Sequence, residues 1–366
     1  MPRRRAALFL VLYICGVLYI SLYPWDIVSP PHAPELFWVS SYSRRIVLDF
    51  ALNILLYIPL GAAAFAALRS NAYGLAAAVT LGFAISLGVE LTQRYIPFRA
   101  ATYDDLVANT IGATVGAIIA FSSKKKLSDA GILVILWLLW IGFLLLPMIN
   151  HAPLPAIGLD ADLLWIGSIS TLLGFLVLSL AIKPNAIPGA ILALAPAAVL
   201  WMYPNLLLSR LAATIGAILI ARLAQPQLTR LIAPACVIWL VFQELYPFDF
   251  GKPIHAFSWI PFETLFENRP QNYYPAIFEK LFFYTAVVWA MRFQGAKLFK
   301  AYSVPAVALM AGEFAQCFLP GRTPELTDPV LISVGAFMLW LTESPELCSR
   351  GQTPAGFGYQ VRGAEK

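Results

Sequence analysis

Long apolar runs dominate this sequence and limit what it can fold into. Several of them exceed the ~18 consecutive apolar residues that let a helix cross a bilayer, and prolines and short polar breaks separate them. Of all residues, 60% are hydrophobic and only 12% are charged, which excludes a pair of soluble domains. The runs are continuous and do not alternate as barrel strands do, so the sequence predicts an all-α, polytopic transmembrane protein.

The breaks between the runs predict about twelve spans. Arg3, Arg4 and Arg5 precede the first run, which is too long for a signal peptide and lacks a cleavage site, so we expect an uncleaved first helix. Lysine and arginine placement predicts cytoplasmic termini. The predicted spans lie at roughly residues 6–23, 48–68, 73–92, 103–121, 130–147, 162–182, 186–203, 206–223, 231–246, 276–293, 301–319 and 328–343.

One set of polar residues occurs twice and is called the repeated motif below. Its first copy is Glu90, Gln93, Pro97, Arg99 and Asp105, and its second copy is Glu313, Gln316, Pro320, Arg322 and Asp328. All five pairs share one offset in the numbering, which we call the repeat offset. The segment Leu22–Asp26 returns at the repeat offset as Leu245–Asp249, with Phe248 in place of Trp25. Spans 1–4 therefore match spans 9–12, which predicts a parallel duplication with both motif loops on the external face.

This duplication divides the chain into four predicted regions. They are a first repeat at residues 1–126, a middle membrane segment of four spans at 127–229, a second repeat at 230–346 and a disordered cytoplasmic tail at 347–366. The two repeats differ between their anchor residues. The second span of the first repeat, with Asp49, Asn53, Tyr57 and Pro59, has only a loose match in Lys280 and Tyr284, which requires a shift of about four residues, and Asn109 has become Ile332.

The spacing of the motif predicts a polar pocket at the outer ends of the spans. Glu90 and Gln93 share one helix face, and Asp105 begins the next span, where the helix dipole favours a carboxylate. Asp49 and Asn53 from span 2 would close the pocket. The candidate ligand-binding residues are therefore Asp49, Asn53, Glu90, Gln93, Arg99, Asp105 and Asn109, with Glu313, Gln316, Arg322 and Asp328 from the second copy.

Two interpretations of the arginine stay open. In the structural one, Arg99 pairs with Asp105 or Glu90 and fastens the hairpin between two spans. In the functional one, its guanidinium group binds a phosphate or carboxylate group, and Glu90, Asp105 or His32 transfers protons if the protein is an enzyme.

The first copy resembles the VanZ-like family of bacterial membrane proteins. The resemblance rests on Asp49 and Asn53 followed by Pro59-Leu60-Gly61, then on the first motif copy with Asn109, Gly112 and Gly116, and it spans about residues 8–121. The second copy, about residues 231–343, lacks the asparagine and the final glycine. The resemblance implies a cell-envelope protein with a link to glycopeptide resistance, and it implies no particular reaction.

From these observations we expect a non-catalytic, multi-pass protein of the cell membrane that engages an anionic lipid or a lipid-linked glycan group at the outer leaflet. Its expected partners are membrane lipids and a lipid-linked cell-wall precursor or glycopeptide. We expect no nucleic acid, no cofactor and no metal, because the sequence lacks a phosphate-binding glycine loop and metal-like ligand spacing. The alternatives are a membrane enzyme acting on a lipid-linked phosphate or glycan, and a transporter.

Overall fold

The chain forms two compact units of helices, and each is described by itself. The computed structural model describes residues 3–29, 31, 35–39, 44–68, 71–97, 99–122, 131–136, 139, 169–170, 172–174, 176–178, 180–181, 226–252, 255–264 and 273–342. The predicted tail at 347–366 and most of the predicted middle segment at 127–229 lie outside these residues.

The first unit contains four helices. They are α1 (Arg3–Leu22), α2 (Arg44–Ala67), α3 (Ala72–Gln93) and α4 (Tyr103–Ser122). The helix α3 begins where the Asn71 side chain accepts a hydrogen bond of 2.9 Å from the Gly74 amide. The helix α2 packs against α1, α3 and most closely α4, so it forms the centre of this unit.

Glycines allow the close packing of α2 on α4. A Cβ atom on Gly61 would lie 1.9 Å from the backbone oxygen of Ala113, and one on Gly116 would lie 1.9 Å from the oxygen of Ile58. Each glycine therefore lets the other helix's backbone approach directly, as small residues do at membrane helix interfaces. This contact fixes the position of the polar residues on α2 relative to those on α4.

The second unit contains four longer described helices. They are α5 (Pro226–Leu245), α6 (Tyr273–Phe293), α7 (Leu298–Gln316) and α8 (Thr327–Thr342). The helix α6 contributes a continuous buried stretch from Leu281 to Val288. It packs against α5, α7 and α8, so the core of this unit is built around α6.

The structure confirms the all-helical class and the membrane character, and it leaves the number of spans as a prediction. In the part of the chain that is described, four segments are long and apolar enough to cross a bilayer: α1, residues Asp49–Ala67 of α2, α3 and α4. The helix α8 is apolar but shorter. The positions of α5 to α8 coincide with the predicted ninth to twelfth spans, but α6 carries Glu279, Lys280 and Arg292 in its sequence.

Candidate functional site: the motif end of each unit

The polar residues of the first unit gather at one end, which we call the motif end. Here the carboxyl ends of α1 and α3 meet the amino end of α4 and the amino-terminal half of α2. The guanidinium group of Arg99 donates through Nε to the Tyr23 carbonyl oxygen at 3.0 Å and through Nη2 to that of Ile20 at 3.1 Å. The last carbonyls of a helix have no partner within the helix, so Arg99 caps the end of α1.

The second unit repeats this cap at the repeat offset. Arg322 donates through Nε to the Tyr246 oxygen at 3.2 Å, and through Nη2 to the oxygens of Tyr246 and Gln243, each at 2.7 Å. The turn that offers these oxygens also repeats. Trp25 and Phe248, the residues that follow the Tyr-Pro pair, have φ angles of 60° and 66°.

The motif glutamate holds the start of the next helix in both units. Glu90 is buried, and its Oε2 accepts a bond of 2.8 Å from the Thr102 amide. In the second unit, Oε2 of Glu313 accepts a bond of 3.0 Å from the Glu325 amide. Each glutamate thus satisfies a backbone donor just before α4 or α8 begins.

The motif aspartate binds a residue of the second helix of its unit. In the first unit, Nδ2 of Asn53 donates to Oδ1 of Asp105 at 2.6 Å. The Asp105 amide donates to the Thr102 hydroxyl at 3.1 Å, which makes Thr102 the N-terminal cap of α4. Asp105 therefore joins α2 to the start of α4.

In the second unit, a lysine takes the place of this asparagine. The Nζ atom of Lys280 lies 2.8 Å from both carboxylate oxygens of Asp328. The Asp328 side chain is 1% exposed, whereas the Lys280 side chain is 47% exposed. The Tyr284 hydroxyl donates to the same carboxylate at 2.9 Å.

The position of Lys280 supports the four-residue shift expected from the sequence. Asp105 and Asp328 are related by the repeat offset, whereas Asn53 and Lys280 are separated by four residues more than that offset. The aspartate partners Asn53 and Lys280 are nevertheless equivalent in their contacts. The four additional residues therefore lie before α6, in the connection from α5.

A second acidic side chain, from α5, joins the cluster of the second unit. Glu244 is buried and accepts bonds from Nε2 of Gln316 at 2.6 Å and from the Tyr284 hydroxyl at 3.5 Å. Carboxylate oxygens of Glu244, Glu313 and Asp328 all lie within 4.8 Å of one another. Such a cluster can hold a shared proton or a cation, and here the Lys280 ammonium already occupies both oxygens of Asp328.

The first unit has a polar layer one helical turn deeper than Glu90 and Asp105. Nδ2 of Asn109 on α4 donates to the Ser86 hydroxyl on α3 at 3.0 Å. The Tyr57 hydroxyl on α2 lies near Ser86 but, within the described residues, has no hydrogen-bond partner of good geometry. We call Tyr57, Ser86 and Asn109 the inner layer.

Aromatic side chains surround the loops at the motif end of the first unit. Phe37 pairs with Thr102 in an isolated parallel bridge, and the Val39 amide donates to Oδ2 of Asp104 at 2.8 Å. The rings of Trp38 and Tyr103 stack with centroids 5.1 Å apart, and both side chains are exposed. Exposed aromatic residues at a loop level are typical of a membrane interface.

The other sequence candidates take simpler positions. Asp49 is exposed at the start of α2, within electrostatic range of Asp105. Gln93 is buried and donates through Nε2 to the Ser21 oxygen at 2.8 Å. His32 lies outside the described residues.

Several residues of the site were not among the sequence candidates. Thr102 had a detectable signal, because a threonine followed three residues later by an acidic residue before an apolar run is typical of a helix start. Ser86 had none beyond being polar within an apolar run, and Tyr57 had only its loose match to Tyr284. Glu244 corresponds to Ser21 at the repeat offset, so comparing the copies for charge differences would have identified it.

The comparison with protein families agrees with the resemblance inferred from the residues. Residues 7–124 match the family model described as VanZ/LLP1, which confirms the predicted VanZ-like family for the part of the chain that forms the first unit. The match does not extend to the second unit. No curated protein and no solved structure matched the chain.

Proposed function

Because residues 7–124 form a VanZ-like domain, we propose that this chain is a multi-pass membrane protein of the bacterial cell envelope that binds an anionic lipid-linked group. The binding site is the motif end of each unit, facing the outer leaflet, and the ligand is a phosphate-bearing lipid headgroup or lipid-linked glycan. The protein is a binder and not a catalyst.

The observation that carries this proposal is the state of the Arg322 charge. Three bonds to backbone carbonyls orient the guanidinium group, but a neutral carbonyl does not neutralise a positive charge. Within the described residues, Arg322 forms no ion pair and its Nη1 group has no partner. Glu244 lies within electrostatic range of it but is bound to Gln316 and Tyr284. An oriented, half-buried guanidinium without a direct ion pair is a suitable binding group for phosphate.

The second unit, in this proposal, is a second and diverged copy of the first. The arginine cap, the glutamate bond to the following helix start and the positive-φ turn all recur at the repeat offset. The aspartate also keeps a partner on the second helix of its unit, although that partner changes from asparagine to lysine. These repeated hydrogen bonds support a duplication beyond the repeated residue types, because they show that the backbone also follows the same path in both units.

Arginine variants test the anion site. Arg322→Lys keeps the charge but loses the planar fork, so purified protein should retain its melting temperature within a few degrees while losing part of its binding of vesicles that contain phosphatidylglycerol. Arg322→Gln, which retains donors without charge, should lose binding more completely. Unchanged vesicle binding in both variants would refute the role of this arginine.

Labelling tests the membrane orientation. In a background without the four native cysteines, a cysteine at Ala100 or Thr323 should react with an impermeant maleimide from outside the cell. A cysteine at Tyr73 or Phe299, which are 81% and 78% exposed at the opposite end of each unit, should react only after permeabilisation. The reverse pattern would place the motif ends in the cytoplasm and contradict the outer-leaflet proposal.

The enzyme alternative draws on the carboxylate cluster of the second unit. Glu244, Glu313 and Asp328 are near enough to share a proton, which suits general acid–base chemistry. All three are buried, however, and two of them already accept hydrogen bonds at both oxygens. A Glu313→Gln variant that keeps ligand binding but loses a measurable turnover would favour the enzyme.

A further inference from the structure

Two buried oxygen atoms of the inner layer have unused hydrogen-bonding capacity within the described residues, although the Tyr57 hydroxyl lies near Ser86. Within the described residues, neither Oη of Tyr57 nor Oδ1 of Asn109 has a hydrogen-bond partner of good geometry. Tyr57 is 1% exposed and Asn109 is 4% exposed. A buried oxygen of this kind is costly unless something binds it.

Two carboxylates lie one helical turn from the inner layer, towards the motif end. Half-buried Asp105 is one helical turn before Asn109 on α4, and buried Glu90 is one turn after Ser86 on α3. Both carboxylates lie within electrostatic range of each other and of Tyr57. Neither forms an ion pair with a described residue. Their described hydrogen bonds come from neutral donors of Thr102 and Asn53.

The packing of α2 on α4 brings the tyrosine to this place. A Cβ atom on Gly112 would lie 3.0 Å from Cβ of Tyr57, so the Tyr57 side chain starts against α4 just below Asn109. Four helix-borne oxygen-bearing residues therefore converge from three helices: Tyr57 from α2, Glu90 from α3, and Asp105 and Asn109 from α4.

In the second unit, side chains supply the partners of the corresponding aspartate and tyrosine. The Lys280 ammonium binds both oxygens of Asp328, and the Tyr284 hydroxyl is bound to Asp328 and Glu244. The positions of Ser86 and Asn109 are occupied by Leu309 and Ile332, both fully buried. The second unit thus has an ammonium group on its aspartate, and it has apolar side chains at the positions of Ser86 and Asn109.

We propose that the first unit binds a hard cation, held by oxygen atoms of Glu90, Asp105, Tyr57 and Asn109. Two carboxylates, a phenol and an amide oxygen form an oxygen-only set of ligands, which sodium, magnesium and calcium prefer. In the second unit, the ammonium group of Lys280 takes the place of this cation beside Asp328. The site departs from the sequence-based expectation of no metal, because the orphan oxygens become visible only when the helices are packed.

The first test is the cation dependence of the melting temperature. The purified full chain in a neutral detergent is heated in choline chloride, and choline is then replaced at constant ionic strength by sodium, potassium, magnesium or calcium. A ligand that binds only the folded state raises its stability by mass action. We expect one of these cations to raise the melting temperature by about 3 °C or more in a saturable manner, and its identity separates a monovalent from a divalent site.

A matched pair of variants tests the location. Asn53→Lys places an ammonium beside Asp105 as Lys280 does beside Asp328, so it should remove the cation response and raise the melting temperature in choline. Asn53→Met has a similar length without the charge and should retain the response.

Three results would overturn the proposal. They are the absence of any response beyond that of choline, a full response in Asn53→Lys, and an equal loss in Asn53→Lys and Asn53→Met. If Asn53→Lys does not fold, Glu90→Gln and Asn109→Leu replace it, and each must abolish the response of a protein that still elutes as a single species.

Discussion

The closest packing in the first unit gives the sharpest prediction about stability. Replacing Gly61 with alanine adds one methyl group, whose carbon would lie 1.9 Å from the Ala113 backbone oxygen. An ordinary carbon–oxygen contact is about 3.3 Å, so α2 and α4 must separate locally by about 1.4 Å. The clashing atom belongs to the backbone, and no side-chain rotation can relieve the contact.

The magnitude follows from two opposing terms. Overpacking costs about 1–3 kcal/mol where neighbours can adjust, and a rigid helix backbone places Gly61→Ala at the upper end of that range. Alanine is about 1 kcal/mol more favourable than glycine within a helix, and this offsets part of the overpacking cost. We therefore expect a net loss of about 2 kcal/mol, together with a weaker bond between Asn53 and Asp105, because that bond crosses the same helix pair.

A glycine in the same unit provides the control. Gly88 lies on α3, and a Cβ atom added there would meet nothing within 4 Å. Gly88→Ala should therefore be neutral or slightly stabilising. The assay is the melting temperature of both variants in detergent by tryptophan fluorescence, where ~1 kcal/mol corresponds to a few degrees. Equal melting temperatures for Gly61→Ala and Gly88→Ala would refute the described contact between α2 and α4.

Other variants test individual interactions. Lys280→Met should destabilise the second unit by about 2 kcal/mol, less than for a fully buried pair because the lysine is half exposed, and adding Asp328→Asn should recover most of this loss in the same melting assay. Thr102→Ala should cost about 1 kcal/mol through loss of the α4 cap, whereas Thr102→Ser should cost little. Arg99→Ala should impair vesicle binding more than Arg322→Ala, because only in the first unit does an asparagine amide bind the motif aspartate; equal losses would assign the binding to both units.

The sequence predicted which residues lie at the motif ends better than it predicted the contacts that they form there. The repeat offset identified both arginines, both glutamates and both aspartates, and it placed them at helix ends. It did not reveal that Arg99 reaches α1, because that contact joins residues 76 and 79 positions apart in the chain. The acceptors are backbone carbonyls, which every residue has, so residue type does not show which of them will bind the arginine.

The inner layer was hidden for a different reason. Asn109 was expected one turn below Asp105 on the same helix face, and it lies there bound to Ser86. Ser86 and Tyr57 come from two other helices, and their meeting depends on how deeply those helices pack. Glycines at positions 61, 112 and 116 set that depth, and a one-dimensional pattern of small residues does not specify which helix each of them contacts.

The arginine cap on α1 has a consequence for the order in which the first unit is assembled in the membrane. Two carbonyl oxygens at the end of α1 are bound by a residue that is synthesised 76 and 79 positions later. Unsatisfied carbonyls are costly away from water, so in the proposed multi-pass topology this end of α1 stays at the aqueous surface until Arg99 has been synthesised. The last carbonyls of α1 are therefore bound only after the loop before α4 has been synthesised. Arg99 in that loop then joins the first helix of the unit to the start of the last one.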